Sequence, residues 1–251
     1  MRILLLVMAV MFAANKLCAQ KLYTGKKPSV KFTDLSGAKL KEEDADLMIA
    51  VTKIGDTSYR LDEYKANGPL RRSQYFKTAS LDQPHGLTVT YHKNGWVQSF
   101  GTYLEGNKEG EWRLVNDTGR TYKLEIYERG KLVSSEDIPE HTEEEIEAFK
   151  NGAESEFPGG TQGWTNYLQQ NLVYPKKALK AEIRGKVCIF FMVNDDGSVQ
   201  NPFLYKSLHY LLDMEGVRLI ELSPKWVPAV RENQPVRSFK VQPIIFHFTY
   251  E

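Results

Sequence analysis

The chain has 251 residues, 41% of them hydrophobic, and its 33 Lys and Arg side chains almost balance its 32 Asp and Glu side chains. Proteins that bind nucleic acid usually carry a basic patch, so this near-neutral balance argues against that class of partner. The length fits one or two domains, and no long apolar run follows the N-terminal stretch. We therefore expect the mature chain to be soluble.

The N-terminal stretch MRILLLVMAVMFAANKLCAQ is typical of a secretory signal peptide. Arg2 precedes an unbroken apolar run from Ile3 to Ala14, which is shorter than the roughly 20 residues that a membrane-spanning helix needs. We expect residues 1–19 to be removed by cleavage between Ala19 and Gln20, with export of the chain to the periplasm. The alternative is an intact N terminus that anchors the protein in the inner membrane, facing the periplasm. Cleavage would leave Cys188 as the only cysteine, so we expect no internal disulfide.

An N-terminal segment, residues 20–60, precedes a region, residues 61–133, in which the glycines form an internal repeat. Between these glycines lie short stretches rich in β-branched and aromatic residues, such as LTVTY and VQSFGTY, and the Asn94-Gly95 pair is typical of a hairpin turn. We therefore predict a stack of antiparallel hairpins. The repeated glycines, spaced by a constant step of 24 residues, are Gly86, Gly95 and Gly106, then Gly110, Gly119 and Gly130.

The stretch HGLTVTYHKNGWVQSFGTYLEGNKEGEWRLV resembles the MORN repeat, in which a glycine is followed by an aromatic-containing strand, an Asn-Gly turn and another glycine. It departs from that pattern at Val115, which stands where the repeat would place a second copy of Tyr91. The resemblance implies a β region with one of two roles. It either offers a surface for protein, lipid or glycan contacts, or it is a spacer whose aromatic side chains fill its own core.

Residues 134–153 differ from their surroundings in composition, because acidic side chains dominate from Glu136 to Glu147. Such a run is usually a solvated linker or an exposed helix rather than a binding site. Thr142 and Glu145 have the spacing of a helix capping box. We interpret the segment as an acidic linker between two domains.

The last region, residues 154–251, predicts the order helix, hairpin, helix and strand. Thr161 is expected to be the N-cap of a first helix, and Pro175 suits the first position of a second helical segment. KVCIFFMV is apolar at almost every position, which indicates a strand buried on both faces, and NDDGSV supplies the turn to its hairpin partner. A further helix must end before Pro224, and a final strand is expected from Arg237 to Tyr250. The predicted fold class is α+β, with an antiparallel β-repeat region followed by a small antiparallel sheet packed against two helices.

Six motifs occur in order along this region: FPGG, NLVYP, IRGKV, VNDDGSV, SPKWVPA and PIIFHF. In this order they resemble the TonB C-terminal domain, particularly the versions found in Bacteroidetes energy-transducer TonB proteins. The sequence departs from that pattern at Gly216, where alanine is common, and at Ala229, where glycine is common. It also has Val173 where the best-known TonB proteins carry glutamine. These departures leave the expected fold intact but bear on the choice of receptor.

The resemblance implies a periplasmic protein that binds outer-membrane TonB-dependent receptors in energy-coupled transmembrane transport. The TonB box of the receptor would add as an extended strand to the sheet edge, next to the last strand. Pro243 within that strand lacks an N–H, which is tolerated mainly at an edge but shortens the usable ladder. An anchored form would also pair with the inner-membrane motor proteins ExbB and ExbD. The implied partner-binding residues are Arg237, Ser238, Phe239, Lys240, Val241 and Gln242 on the receiving edge, with Val173, Tyr174 and Pro175 beside the incoming segment.

No residue pattern in the chain indicates catalysis, a cofactor or a metal. The five histidines show no metal-ligand spacing, and Asp195 and Asp196 are expected to form a turn. Buried aromatic residues chiefly supply packing area, so Tyr174 and Trp226 are expected to pack more than to contact a ligand. The alternative function is a non-transducing envelope scaffold or a module that binds peptidoglycan. A cleaved leader would remove the mechanical link to the inner-membrane motor.

Overall fold

Residues 28–139 and 154–248 are described by a computed structural model of the chain. They form two compact units, the N-terminal unit (residues 28–139) and the C-terminal unit (residues 154–248). The expected cleavage site at Ala19 and Gln20 and the expected helix cap at Thr142 lie outside the described residues. Within the two ranges no helix is long and apolar enough to cross a membrane.

The N-terminal unit is an antiparallel sheet in which each strand pairs with the next one along the chain. The predicted stack of hairpins is confirmed, and the sheet begins well before residue 61. The first strands escaped the prediction because they lack the repeated glycines. Within residues 28–139 the strands are β1 (Ser29–Thr33), β2 (Leu47–Lys53), β3 (Tyr59–Lys65), β4 (Leu70–Phe76), β5 (Pro84–Tyr91), β6 (Val97–Leu104), β7 (Asn107–Val115), β8 (Thr121–Glu128) and β9 (Lys131–Asp137).

The repeated glycines correspond to backbone features that recur from one hairpin to the equivalent hairpin of the next repeat. All six repeated glycines have a positive φ, which most other residues adopt only with strain. The turn between β5 and β6 is closed by the N–H of Gly95, which donates to the His92 carbonyl at 2.9 Å. In the turn between β7 and β8, the equivalent bond runs from the N–H of Gly119 to the Asn116 carbonyl at 3.0 Å. A Cβ atom at Gly119 would lie 2.5 Å from ring atoms of Trp96, so this turn also needs glycine for space.

Aromatic side chains of the repeat pack on the sheet itself. The buried indole of Trp112 lies flat on Gly101, where a Cβ atom would come within 2.3 Å of the ring. Tyr103 and Tyr127 contact Trp112 edge-on, with ring centroids 5.3 and 6.3 Å away. The Lys108 ammonium lies 4.2 Å from the Trp112 centroid and 4.4 Å from that of Tyr127, in cation–π geometry. These side chains contact one another, as expected if the aromatic residues of the repeat fill the core of the region itself.

A buried ion pair on β3 is linked to β4 by a hydrogen bond inside the N-terminal unit. Arg60 Nε donates to Asp62 Oδ2 at 2.8 Å, and the Ser73 hydroxyl donates to Asp62 Oδ1 at 2.7 Å. Burial opposes the charge of the guanidinium, but the neighbouring Asp62 carboxylate and Tyr75 outweigh it and hold the pKa of Arg60 above its ordinary value. Arg60 is therefore charged and paired within the sheet.

The C-terminal unit has the predicted order of helix, hairpin, helix and strand, and the α+β fold class is confirmed. Its main sheet has three strands in the order β11-β10-β14, so β10 is central. A separate hairpin, β12-β13, was not predicted. Its turn uses Glu232 and Asn233 at positive φ, so a glycine signal is missing. The elements are α1 (Gly160–Asn171), α2 (Lys176–Lys180), β10 (Gly185–Val193), β11 (Val199–Lys206), α3 (Tyr210–Glu221), β12 (Ala229–Arg231), β13 (Gln234–Val236) and β14 (Ser238–Phe246).

Several predicted boundaries in this unit are wrong. Helix α1 starts at Gly160, and its N-cap is Gly159 at φ 79°, not Thr161. The chain has already turned there, because the N–H of Gly160 donates to the Phe157 carbonyl at 2.7 Å. The last strand runs from Ser238 to Phe246, so it starts one residue after the predicted Arg237, which links it to the β12-β13 hairpin, and it ends before the predicted Tyr250. Pro175 is the N-cap of α2 and not its first helical residue.

Helix α3 packs closely on the sheet, and Gly216 makes that approach possible. A Cβ atom at Gly216 would lie 3.3 Å from Val187 Cγ1 and 3.6 Å from the Cδ1 atoms of Ile189 and Ile244. These three residues belong to β10 and β14 and are fully buried. The glycine at this position therefore has a packing reason, which offsets its low helix propensity.

Candidate partner-binding edge

Strand β14 lies at the edge of the three-stranded sheet. All nine of its residues pair with β10 without a break in register, from Ser238 opposite Val193 to Phe246 opposite Gly185. Among residues 154–248 no other strand pairs with the second side of β14. At about 3.4 Å per residue, this edge offers a row of backbone donors and acceptors roughly 30 Å long.

The predicted receiving edge occupies the first half of β14, apart from Arg237, which directly precedes the strand. Side chains of a strand alternate between its faces, and Ile244 contacts α3, so the even-numbered residues face the helices. Lys240 on that face donates from Nζ to the Ser155 carbonyl at 2.7 Å. Phe239 and Val241 point to the opposite face, and each is 41% exposed.

Pro243 indicates which backbone groups of β14 point away from β10. It lies opposite Cys188 in a regular ladder, although it has no N–H to donate. A proline fits such a strand when its nitrogen side points away from the neighbouring strand. In an antiparallel ladder alternate residues share that direction, so the outward N–H groups belong to Phe239, Val241 and Ile245. The free edge thus has donors on both sides of Pro243 and a gap at Pro243 itself.

The NLVYP motif lies at the other end of β14. The Tyr174 ring packs edge-on against Phe246, with centroids 5.8 Å apart, and also contacts Phe248 at 5.6 Å. Its hydroxyl donates to the Ile183 carbonyl, and burial raises the pKa of that hydroxyl. Val173 next to it is 64% exposed. The structure therefore places Tyr174 against the far end of β14, at Phe246, which lies about 14 Å along the strand from Gln242 of the predicted receiving edge.

An ion pair on α3, which the sequence did not single out, holds this motif in place. Glu215 accepts the N–H of Val173 at 2.7 Å and pairs with both Nε and Nη2 of Arg218, each at 2.7 Å. Arg218 also donates to the Asn171 carbonyl at 2.6 Å. Opposite charges three residues apart on a predicted helix were the available signal. Their contact with Val173 is long-range and could not be read from spacing.

The VNDDGSV and SPKWVPA motifs meet in the fold. The N–H of Trp226 donates to the Gly197 carbonyl at 2.9 Å, and Lys225 Nζ lies 3.0 Å from Asp196 Oδ2. Asp196 accepts the hydroxyl and the N–H of Ser198, and these bonds, with Lys225, lower the pKa of its carboxyl. The Asp195-Asp196 pair is thus part of a turn, as expected.

The expected packing role of Trp226 agrees with its place in an aromatic core. Its buried ring meets Phe157 of FPGG at 5.4 Å and Phe191 of β10 at 4.9 Å. Elsewhere, burial raises the pKa of the Cys188 thiol, which is free and enclosed. Over the described parts of the chain, no group of three or more His, Cys, Asp or Glu side chains is arranged to hold a metal ion.

Residues 170–248 match the family model of the Gram-negative bacterial TonB protein C-terminal domain. The C-terminal unit is TonB-like. The resemblance predicted from the six motifs is thereby confirmed for this segment, which is about a third of the chain. The solution structure of the Helicobacter pylori TonB C-terminal domain is similar to this chain at 22% identity, covering 45% of this chain and 100% of that one, with a TM-score of 0.31. No curated protein matches the chain.

Proposed function

We propose that the TonB-like unit binds outer-membrane TonB-dependent receptors by accepting an extended receptor segment, the TonB box, as a strand on β14. The observation that carries this proposal is the position of β14, a nine-residue edge strand in a regular ladder, whose second side pairs with no other strand among the described residues. Unpaired backbone groups supply affinity in strand addition, and neighbouring side chains supply selectivity. The role is non-enzymatic.

The transport role depends on the N-terminal stretch. If the chain keeps its leader as an inner-membrane anchor, it can pair with ExbB and ExbD and deliver energy to the receptor. If cleavage occurs between Ala19 and Gln20, the periplasmic chain binds the receptor without a mechanical link to the motor. We propose the second form, because the apolar run from Ile3 to Ala14 is too short to span a bilayer.

The proposal is tested with the full chain and fluorescently labelled TonB-box peptides, by anisotropy. The decisive variant is Val241→Pro, which removes an outward N–H while the pairing with β10 is kept. We expect it to weaken peptide binding by tenfold or more, which is about the effect of losing a hydrogen bond between uncharged groups. The matched control is Val241→Ile, which keeps both the N–H and a branched apolar side chain. Equal binding by the wild type and Val241→Pro would contradict strand addition.

A second candidate is the envelope scaffold or peptidoglycan-binding module, and the repeat sheet favours it. Tyr103 and Tyr127 are half-buried on the sheet surface around Lys108, and the MORN-like pattern is a contact surface in one of its two readings. A pull-down from envelope extracts separates the candidates. Recovery of peptidoglycan fragments without a TonB-dependent receptor would favour the scaffold, and recovery of a receptor would favour the first proposal.

A further inference from the structure

The segment that leads from the NLVYP motif to β10 carries an exposed basic surface. We call four exposed cations of this segment the basic patch, namely Lys176, Lys177, Lys180 and Arg184. Glu182 is the only acidic residue between the first and the last of them. Within residues 28–139 and 154–248, no acidic side chain forms an ion pair with any of the four. Their charge is therefore directed to solvent, although the chain as a whole is almost neutral.

Helix α2 sets the direction of the three lysines. Ala178 in the middle of α2 is fully buried, and α2 packs against α3. At 3.6 residues per turn, the positions two residues before and two residues after Ala178 lie on the opposite side of the helix. Lys176 and Lys180 occupy these positions, so they point away from the protein together. Lys177 lies on the flank of the helix between the buried side and the exposed side.

A side-chain hydrogen bond keeps the patch together. The Tyr174 hydroxyl donates to the Ile183 carbonyl, so the two ends of the loop that carries α2 are held side by side. Arg184 follows directly, and its guanidinium carbon lies 5.7 Å from the centroid of the Phe248 ring, which Tyr174 also contacts. The fourth cation is thus fixed beside the same loop as the three lysines.

Exposed apolar side chains lie beside these cations. Leu179, on the flank of α2 away from Lys177, is 51% exposed, and Val173 just before the loop is 64% exposed. An acidic polypeptide would bind the cations and gain nothing from the leucine. At a membrane surface the ammonium groups meet phosphates, while an apolar side chain enters the boundary between headgroups and acyl chains. Lysines suit such a surface because they are compact point charges, whereas recognition of a single carboxylate or phosphate usually employs the planar fork of arginine.

We propose that the basic patch docks the C-terminal unit on an anionic lipid surface, with Lys176 and Lys180 at the phosphates and Leu179 in the boundary region. Each lysine or arginine near such a surface strengthens binding about fivefold, so the four together give reversible attachment. This contact would keep a chain with a cleaved leader close to the membrane. The inference does not depend on strand addition, and its failure would leave the proposed function standing, because peptide binding to β14 is a separate measurement.

The test is co-sedimentation of the chain, purified from a periplasmic extract, with two kinds of vesicle. One kind contains one third phosphatidylglycerol in phosphatidylcholine, and the other contains phosphatidylcholine alone. We expect binding to the first kind only. This binding should be lost as the salt concentration rises from about 0.1 M to about 1 M, where the screening length falls from about 10 Å to about 3 Å. Equal binding to the two kinds of vesicle, or binding to neither, would overturn the proposal.

Two double variants locate the contact. Lys176→Gln with Lys180→Gln should weaken binding to the anionic vesicles about twentyfold, at about fivefold for each lost charge. The matched control, Lys39→Gln with Lys41→Gln, removes the same charge from exposed lysines of the N-terminal unit and should leave binding unchanged. Equal losses in the two double variants would show that net charge and not the basic patch determines binding, which overturns the proposal.

The apolar contact separates a lipid partner from an acidic polypeptide. Leu179→Gln should weaken vesicle binding several-fold, whereas Leu35→Gln, a matched change at an exposed leucine of the N-terminal unit, should have no effect. Soluble polyglutamate should compete only weakly with the vesicles. If polyglutamate binds more tightly than the vesicles and Leu179→Gln changes nothing, the partner is an acidic polypeptide and the proposal is overturned. Because all these side chains are exposed, unchanged melting temperatures will show that the variants are folded.

Discussion

Two edge strands of the molecule, β9 in the N-terminal unit and β14 in the C-terminal unit, differ in how they are protected. The ladder between β8 and β9 breaks register, because Ile126 lies opposite Ser134 while Tyr127 lies opposite Leu132, which leaves Val133 as an extra residue. Bulges and charges are devices that prevent an edge from pairing further. β14 has no bulge and no acidic residue, although it carries Lys240 on its helix-facing side and Pro243 near its middle. We therefore expect β9 to be closed to strand addition, and β14 to be open to it on either side of Pro243.

The largest expected effect comes from disturbing the sheet that carries the open edge. Gly216→Val places two methyl groups where even a Cβ atom would lie 3.3 Å from Val187. We expect a loss of about 3 kcal/mol in the stability of the C-terminal unit, because overpacking a full core displaces its neighbours. Hydrogen-exchange mass spectrometry in urea should show early exchange in β10 and β14, with β5 to β8 unchanged. Gly216→Ala is the smaller control, and an unchanged C-terminal unit in Gly216→Val would contradict the close helix approach.

A smaller effect is expected from the ion pair that holds the NLVYP motif. Arg218→Ala leaves the buried Glu215 carboxylate without its cation and should cost about 2 kcal/mol. It should also free Val173 and Tyr174, so their amide resonances should broaden or shift. A matched control is Lys225→Ala, which removes an exposed pair with Asp196. Equal effects of the two variants on the Tyr174 resonances would show that the Glu215–Arg218 pair has no positioning role.

The closed edge can be opened by a deletion. Removing Val133 should regularise the β8-β9 ladder and expose an even row of backbone groups on β9. We expect the deletion variant to self-associate at concentrations where the wild type does not, as measured by sedimentation velocity. Val133→Ser keeps the bulge and should behave like the wild type. If the deletion variant sediments like the wild type, the bulge is not what protects this edge.

The smallest effect is a pH dependence at the β10-β11 turn. The Ser198 and Lys225 contacts lower the pKa of Asp196 from its ordinary 3.8, so the charged form stabilises the fold above about pH 4. This contribution is lost as the pH falls through the lowered pKa. Asp196→Asn should therefore be less stable than the wild type at pH 6, and the difference should shrink toward pH 2. A difference in melting temperature that stays constant over this range would contradict the assignment.

Local signals in the sequence predicted much of both units. The repeated glycines predicted the hairpins, because four of the six lie in turns that need a positive φ, and Gly197 has a positive φ in the predicted turn at Asp195-Asp196. Five of the six motifs lie within residues 170–248, where the family match confirms the predicted resemblance. The edge position of β14 agrees with the resemblance and with Pro243.

Two kinds of feature could not be predicted from local sequence: helix ends for which neighbouring residues compete, and contacts between residues far apart in the chain. The N-cap of α1 is Gly159 and not Thr161, because the turn closed by the Gly160 N–H and the Phe157 carbonyl starts the helix two residues earlier. The contact of Glu215 with Val173 joins residues far apart in sequence, and spacing carries no information on it. The resemblance places Tyr174 beside the incoming segment, and the structure shows which residue of β14 it packs against, namely Phe246.

The most direct test of the central claim is residue-level amide exchange of the full chain, with and without a TonB-box peptide. In the free chain the outward amides of Phe239 and Val241 should exchange rapidly, since only the inward amides are bonded to β10. On peptide addition these two amides should become protected, while those of Leu132 and Val133 on β9 stay unprotected. Unchanged exchange at Phe239 and Val241, or protection that appears on β9 instead, would contradict the account.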